Sequence, residues 1–271
     1  MASFQDPLPT EPPAFAEAPP PGPQPSPARD PVWSGGDVVV LTVIAFFSLL
    51  LCGLVIAVYV AAFYPKQKPE DVAGMPLISI LAQAFASAVV LAAMYGMVAR
   101  RYRSPFWEAV RWSWPQGSRA FLCVITGAGM ALVVDFVSAL APIPKSLPIY
   151  QLFRTTASAY ALAGYGILVA PVIEELFFRG FLFPVLARRG GVPLAALLTS
   201  LAFMLIHVSQ LAGEWVPLLI LFLVGMAFTL ARAWSGSVAV SYLLHLGYNL
   251  TLFAGLFFAT DYFRHMERMG Q

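Results

Sequence analysis

Long apolar runs dominate the chain from residue 38 onward, and short segments rich in proline, arginine or lysine separate them. A membrane-crossing helix needs about 17–25 predominantly apolar residues. The runs therefore predict seven transmembrane helices, of which the fifth is close to the lower limit of length, and a re-entrant or interfacial piece over 146–160 would make an eighth. The seven runs are 38–63, 76–99, 120–141, 161–187, 192–209, 215–233 and 237–260.

Composition supports a membrane protein. Hydrophobic residues make up 59% of the 271 residues and charged residues only 11%, whereas soluble domains contain about 25% charged residues. The predicted fold class is therefore all-α, a polytopic transmembrane helical bundle that contacts the lipid bilayer. A net charge of +2 provides no basic surface for nucleic acid, so we expect no nucleic-acid partner.

The first 36 residues are rich in proline and poor in bulky apolar residues. Such a segment buries too little surface to offset the entropy cost of ordering, so we predict a disordered Pro-rich tail. The predicted organisation is the tail over 1–36, N-terminal transmembrane helices over 37–160, a catalytic helical core over 161–260 and a polar C-terminal tail over 261–271.

Positive charges concentrate in the loops on one side of the predicted bundle, which is also the side of the N-terminus. Cytoplasmic loops carry an excess of Lys and Arg. We therefore expect a multi-pass protein of the bacterial plasma (inner) membrane with a cytoplasmic N-terminus, and we expect the mouth of the functional site on that side. The arginines are Arg100, Arg101, Arg103, Arg111, Arg119, Arg188, Arg189 and Arg232.

Seven of the ionisable or amide side chains within the apolar runs are candidates for a structural or functional role. An intramembrane charge costs about 2.5–3.5 kcal/mol on insertion scales, so each such group needs a partner or a function. Helical rise places four of them, Glu174, His207, His245 and Asn249, in one mid-membrane layer about 12–22 Å from the Arg-rich side. We interpret Asp135 as structural or as lining a water-filled cavity. The full set is Asp135, Glu174, Glu175, Arg179, His207, His245 and Asn249.

Two neighbouring glutamates have different predicted environments. Glu175 and Arg179 are spaced i,i+4 and share a helix face, so they can pair. Glu174 points about 100° away from that face. One carboxylate is therefore predicted to be structural and the other free, although a buried ion pair by itself is weak evidence of function.

A glutamate and a histidine around one water molecule can act as a general base, and a second histidine and an amide can stabilise an oxyanion. This set favours attack of water on an amide. Two histidines and a glutamate are also a known zinc ligand set, so zinc held by Glu174, His207 and His245 stays an alternative. A transporter would also place ionisable groups at mid-membrane, and an adaptor or immunity protein could keep the fold without catalysis.

Three segments resemble the motifs of the CAAX protease and bacteriocin-processing family of intramembrane endopeptidases. The first motif is Glu174, Glu175 and Arg179 within APVIEELFFRG. The second is Phe203 with His207, and the third is His245 with Asn249. The resemblance covers about residues 160–252, and no motif residue departs from the family pattern.

The resemblance implies a glutamate-dependent peptidase that uses no metal cofactor. It implies that Glu174 is the base and His207 its partner, that His245 and Asn249 bind the water and the oxyanion, and that Glu175, Arg179 and Phe203 support the site. The implied partner is a membrane-embedded or membrane-associated protein or peptide. Relatives trim prenylated CAAX ends, act on exported peptides or act on C-terminal anchoring signals.

Overall fold

The computed structural model describes residues 31–63, 76–140 and 147–265, and helices form the whole regular structure of these residues. The α-helices are α1 Gly35–Phe63, α2 Pro76–Gly96, α3 Phe106–Ala109, α4 Ser118–Leu140, α5 Thr156–Gly164, α6 Ala170–Glu175, α7 Phe183–Leu205, α8 Trp215–Ser235 and α9 Val238–Ala259. Three π-helical segments, Met97–Arg101, Tyr165–Val169 and Leu176–Leu182, extend or join them, and a 3₁₀ helix covers Pro148–Phe153. The all-helical prediction is confirmed.

Six helical stretches are long and apolar enough to cross a membrane, and the fourth of them covers 50 residues, Thr156–Leu205. A straight helix would separate Arg179 from Phe203 by about 36 Å, yet the Arg179 guanidinium lies 4.7 Å from the centre of the Phe203 ring. The chain reverses at Gly191, whose φ of 74° is not helical. The stretch is therefore a hairpin of two antiparallel arms, in which the fourth and fifth predicted runs form one of the six candidate spans. The second arm, 192–205, is shorter than the roughly 17–25 residues that a crossing needs.

The region predicted as a possible eighth span contains a much shorter element. The 3₁₀ helix Pro148–Phe153 has six residues, which extend only about 12 Å. Its Ile149 N–H donates to the Gln210 carbonyl at 3.0 Å. The next helix then begins at Thr156, five residues before the predicted run, because the Thr155 and Ser158 side chains form a capping box at its start.

The loops that hold the predicted cluster of arginines lie at one end of the bundle, here called the Arg-rich end. Arg101 forms an ion pair with Asp37 at 3.0 Å, Arg188 donates to the Pro31 carbonyl at 2.8 Å, and the Val238 N–H donates to the Arg111 carbonyl at 3.0 Å. The opposite end, here called the far end, holds the 3₁₀ helix and the turns 206–213. The predicted grouping of these loops on one side is confirmed.

The last residues of the predicted disordered tail are packed, which corrects the boundary at residue 36. Trp33 is 1% exposed, stacks on Phe181 with ring centres 4.2 Å apart, and donates its indole N–H to the Phe181 carbonyl at 3.0 Å. A large aromatic ring with a satisfied polar group gains more from burial than its ordering costs. Residues 1–30 of the predicted tail lie outside the described residues.

Helices α4 and α9 approach each other through glycine. A Cβ atom built on Gly127 would lie 2.0 Å from the Leu244 carbonyl oxygen, and one built on Gly247 would lie 2.1 Å from the Val124 carbonyl oxygen. Small residues at such crossings let helix backbones come into direct contact in a membrane. The close crossing fixes the position of α9, which carries two of the candidate site residues.

We expect Gly247→Ala to destabilise the protein by about 1–3 kcal/mol, because the added methyl group would overlap backbone atoms that cannot move independently. The measurement is thermal unfolding of the purified protein in detergent. The matched control is Gly129→Ala, since a Cβ atom on Gly129 meets nothing within 4 Å. Equal melting temperatures for the two variants would contradict the close crossing.

Candidate active site

Four polar side chains from separate parts of the chain line one cavity of about 470 Å³. Glu174 comes from α6, His207 from the turn after α7, and His245 and Asn249 from α9. The structure thus brings together the four residues that the sequence analysis places at one depth. The cavity extends from these residues to the far end of the bundle.

Glu175 and Arg179 form the predicted i,i+4 pair, with Glu175 Oε1 2.9 Å from Arg179 Nη1 and both side chains 0% exposed. Arg179 also donates from Nε to Thr229 Oγ1 at 3.2 Å and from Nη2 to the Gly225 carbonyl at 2.8 Å. These partners supply the hydrogen bonds that a buried guanidinium requires. The ion pair therefore ties the first arm of the hairpin to α8.

Gly225 and Thr229 are functional neighbours that the sequence analysis missed, because both lie in an otherwise apolar run. A Cβ atom on Gly225 would come within 3.0 Å of the Phe203 ring, so a larger residue would displace the aromatic ring beneath Arg179. Phe203 itself, the predicted supporting residue, is 2% exposed. The two residues could have been identified from their i,i+4 spacing, which places a glycine and a hydroxyl residue on one face of the same helix.

His245 lies between the two glutamates. Its Nδ1 is 3.0 Å from Glu175 Oε1, and its Nε2 is 3.7 Å from Glu174 Oε2. The ring stacks on Phe228 with centres 4.7 Å apart. Because the ionised Glu175 can only accept, His245 donates from Nδ1, and its Nε2 accepts a hydrogen bond in the neutral imidazole and donates one in the imidazolium.

Glu174 differs from its neighbour in exposure and in contacts. Its side chain is 22% exposed, whereas that of Glu175 is 0% exposed, and it faces the cavity. Among the described residues it forms no hydrogen bond, and its one ion-pair partner is His245. This is the free carboxylate that the helical wheel predicts.

His207 is not on a helix, which corrects the sequence analysis. Helix α7 ends at Leu205, and His207 follows in a series of turns. Because the apolar run continues to 209, hydrophobicity does not show that the helix ends at Leu205. The Phe203 carbonyl lies 2.8 Å from His207 Nδ1; since a carbonyl only accepts, Nδ1 carries the hydrogen and Nε2 of the neutral ring is left as an acceptor.

Asn249 is held by a backbone group of the hairpin. Its Nδ2 donates to the Gly166 carbonyl at 2.7 Å, inside the π-helical segment Tyr165–Val169. An amide nitrogen has two N–H groups, so the second is left for another acceptor. His245 and Asn249 share one face of α9, as their spacing predicts, and both line the cavity.

A second cavity, of about 290 Å³, lies towards α1 and α2 and also contacts Glu174 and His207. Gln83 of α2 lines both cavities. Ser87 of the same helix hydrogen-bonds the Tyr165 hydroxyl at 2.9 Å. The sequence analysis missed these α2 residues, because isolated Gln and Ser residues in an apolar run have no distinctive spacing.

The first cavity opens at the far end, which corrects the prediction that its mouth lies on the Arg-rich side. Leu147, Tyr150 and Gln210 of the far end line it, and no described residue of the Arg-rich end does. At the Arg-rich end, Trp33 stacks on Phe181. Asp135 of α4 also lines the cavity, in agreement with one of its two sequence interpretations.

The described residues contain no group of three or more His, Cys, Asp or Glu side chains placed to hold a metal ion. Glu174, His207 and His245, the zinc ligands of the alternative hypothesis, line the same cavity without forming such a group. The Glu175 contact at His245 Nδ1 would also suit a metal-bound histidine, so the chemistry of each residue alone is compatible with both interpretations.

Comparison with known protein families gives one match: residues 156–251 match the family described as type II CAAX prenyl endopeptidase Rce1-like. Comparisons with the curated proteins and with the solved structures find no match. The matched segment contains all three motifs and every candidate site residue except Asp135. The chain is thus a multi-pass integral membrane protein whose residues 156–251 carry the segment typical of a protease family, the Rce1-like type II CAAX prenyl endopeptidases.

Proposed function

We propose that this protein is an intramembrane endopeptidase that hydrolyses a peptide bond near the C-terminus or the membrane anchor of a protein or peptide substrate. The observation that carries the proposal is the unlike environment of two adjacent glutamates. Glu175 is neutralised by Arg179, while Glu174 faces a cavity 3.7 Å from a histidine. A carboxylate that no described Lys or Arg side chain pairs with, beside histidine and in a cavity, is suited to act as a base.

In the first step Glu174 takes a proton from a water molecule, and Nε2 of His207 accepts the hydrogen bond of the second water hydrogen. The water oxygen forms a bond to the substrate carbonyl carbon, and the electron pair of the C=O double bond moves to oxygen. The second N–H of Asn249 donates to that oxyanion. Preorganised donors of this kind contribute about 2.7–4 kcal/mol each to transition-state stabilisation.

In the second step the oxyanion electrons re-form the carbonyl and the C–N bond breaks. The leaving nitrogen takes the proton that Glu174 removed from water, which regenerates the carboxylate. The products are a carboxylic acid and an amine. His245, fixed by Glu175 through Nδ1, presents Nε2 to the same region and holds the water or passes the proton.

The proposed partner is a membrane-embedded or membrane-associated protein or peptide, because the cavity lies between membrane helices. The proposed location is the bacterial plasma membrane, with the Arg-rich end and the N-terminus in the cytoplasm. The mouth at the far end would then face the outer side of that membrane. Water and the polar part of a substrate would enter from there.

We expect Glu174→Gln to abolish cleavage while leaving the melting temperature near that of the wild type, because it removes the proton acceptor and keeps the shape. Since the substrate is unidentified, the measurement is comparative proteomics of membrane-anchor and C-terminal peptides in cells that carry either protein. The expected result is an uncleaved species present only with the variant. Identical peptide sets would contradict a peptidase role.

The matched control is the neighbouring substitution, Glu175→Gln. It leaves Arg179 buried without a counter-charge, so we expect it to lower the free energy of unfolding by about 3–5 kcal/mol. Thermal unfolding of both variants separates the two roles. A stable Glu175→Gln variant together with an unstable Glu174→Gln variant would reverse the assignment.

We expect activity to survive exhaustive chelation, because an amide such as Asn249 suits an oxyanion better than zinc. The measurement is turnover of the substrate identified above before and after treatment with chelator, with metal analysis of the purified protein. Loss of turnover that zinc alone restores would favour the zinc alternative, since a catalytic zinc supplies both the Lewis acid and the activated water.

We expect an impermeant thiol reagent to label Arg154→Cys but not Ser118→Cys in intact cells, in a background without Cys52 and Cys123. Arg154 is exposed at the far end and Ser118 is exposed at the Arg-rich end, so the pair reports which end faces outward. Permeabilised cells, in which both positions should react, are the control. The reversed pattern would overturn the orientation and leave the chemistry unchanged.

A further inference from the structure

Asp135 is an acidic side chain in the cavity that the proposed mechanism does not use. It lies on α4, outside the segment 156–251 that matches the protease family, and lines the same cavity as Glu174. It is exposed. Among the described residues no ion pair or hydrogen bond is recorded for its carboxylate. A charge at this depth therefore lacks the partner that such groups usually have.

Apart from the two histidines, His207 and His245, the charged residues that line the cavity are all acidic. Its acidic lining residues are Asp135 and Glu174, and none of its described lining residues is Lys or Arg. A cavity lined by charges of one sign attracts groups of the opposite sign, and low-dielectric walls strengthen the effect. A positively charged substrate group is therefore favoured here, and a substrate carboxylate is disfavoured.

The height of Asp135 above the candidate catalytic residues follows from helix geometry. Helices α4 and α9 both start at the Arg-rich end, and Gly127 lies against Leu244 and Tyr248, so it is level with His245. Asp135 follows Gly127 by eight positions, which places it about 12 Å nearer the far end. An extended peptide covers that distance in about four residues.

We propose that Asp135 is a specificity-determining residue that binds a basic side chain of the substrate, three or four residues from the cleaved bond on the side of the mouth. The substrate class is thus a peptide segment with Lys or Arg at that distance. Ser138, which follows one helical turn later and also lines the cavity, carries no charge and is not part of the proposed binding. This inference rests on the proposed function, because it places the scissile bond at Glu174.

The test measures binding in a Glu174→Gln background, so that it does not depend on cleavage. The probes are three short extended peptides of alanine and leucine with a neutral fluorophore, which differ only in carrying Lys, Gln or Glu at one position. We expect the Lys peptide to bind about tenfold more tightly than the Gln peptide, which corresponds to a hydrogen bond to a charged group. The Glu peptide should bind most weakly.

Adding Asp135→Asn should make the Lys and Gln peptides bind equally, and Asp135→Lys should reverse the order in favour of the Glu peptide. Ser138→Ala is the matched control and should keep the preference for Lys. No preference in the Glu174→Gln protein, or a preference that survives Asp135→Asn, overturns the proposal. A Lys preference that depends on Asp135 supports it even if the wild type cleaves none of the peptides, a result that would count against the proposed function alone.

Discussion

The buried ion pair between Glu175 and Arg179 organises the site. Two charges with no exposure cost several kcal/mol each to bury, so such a pair persists only when further hydrogen bonds surround it. Arg179 finds these bonds on α8, at Gly225 and Thr229. Glu175 accepts from His245 on α9 as well. The hairpin, α8 and α9 are therefore held together by one network, and a change in any one of them leaves a buried charge unsatisfied.

The same network gives two glutamates that are adjacent in the chain different environments. The Glu175 carboxylate is committed to Arg179 and to His245, so it orients the imidazole. Glu174 lies on another face of the helix, and its Oε2 is 3.7 Å from Nε2 of that imidazole. π-helical segments stand on both sides of α6, at Tyr165–Val169 and Leu176–Leu182. Such wide turns are frequent at functional sites, and here the first of them supplies the Gly166 carbonyl that holds Asn249.

The parts of the site that the sequence predicts are those that depend on helical spacing alone. The i,i+4 pairs Glu175–Arg179 and His245–Asn249 follow from the pitch of a helix, and the long apolar helices follow from the apolar runs. The position of His207 outside a helix cannot be predicted from spacing, because the apolar residues continue past Leu205 although the helix ends there. Positive φ angles at Ala212 and Gly213 mark this turn region, and hydrophobicity contains no information about them.

The spacing of residues in the sequence also does not predict which end of the cavity is open, because this depends on how several side chains pack together. At the Arg-rich end, Trp33 stacks on Phe181, and Arg188 donates to the backbone of residues 31 and 33. These contacts join the segment before α1 to the hairpin at Phe181, two residues beyond Arg179, and at Arg188. At the far end α7 stops early, and the turns after Leu205 leave space above Glu174 and Asn249.

The early end of α7 places its following turn residues, His207 and Gln210, in the lining of the cavity that contains Glu174. If α7 continued as a helix through residue 209, its apolar side chains would extend the wall of the bundle. The Nδ1 hydrogen bond to the Phe203 carbonyl fixes the tautomer of His207, and the turn that follows Leu205 places its ring in the cavity.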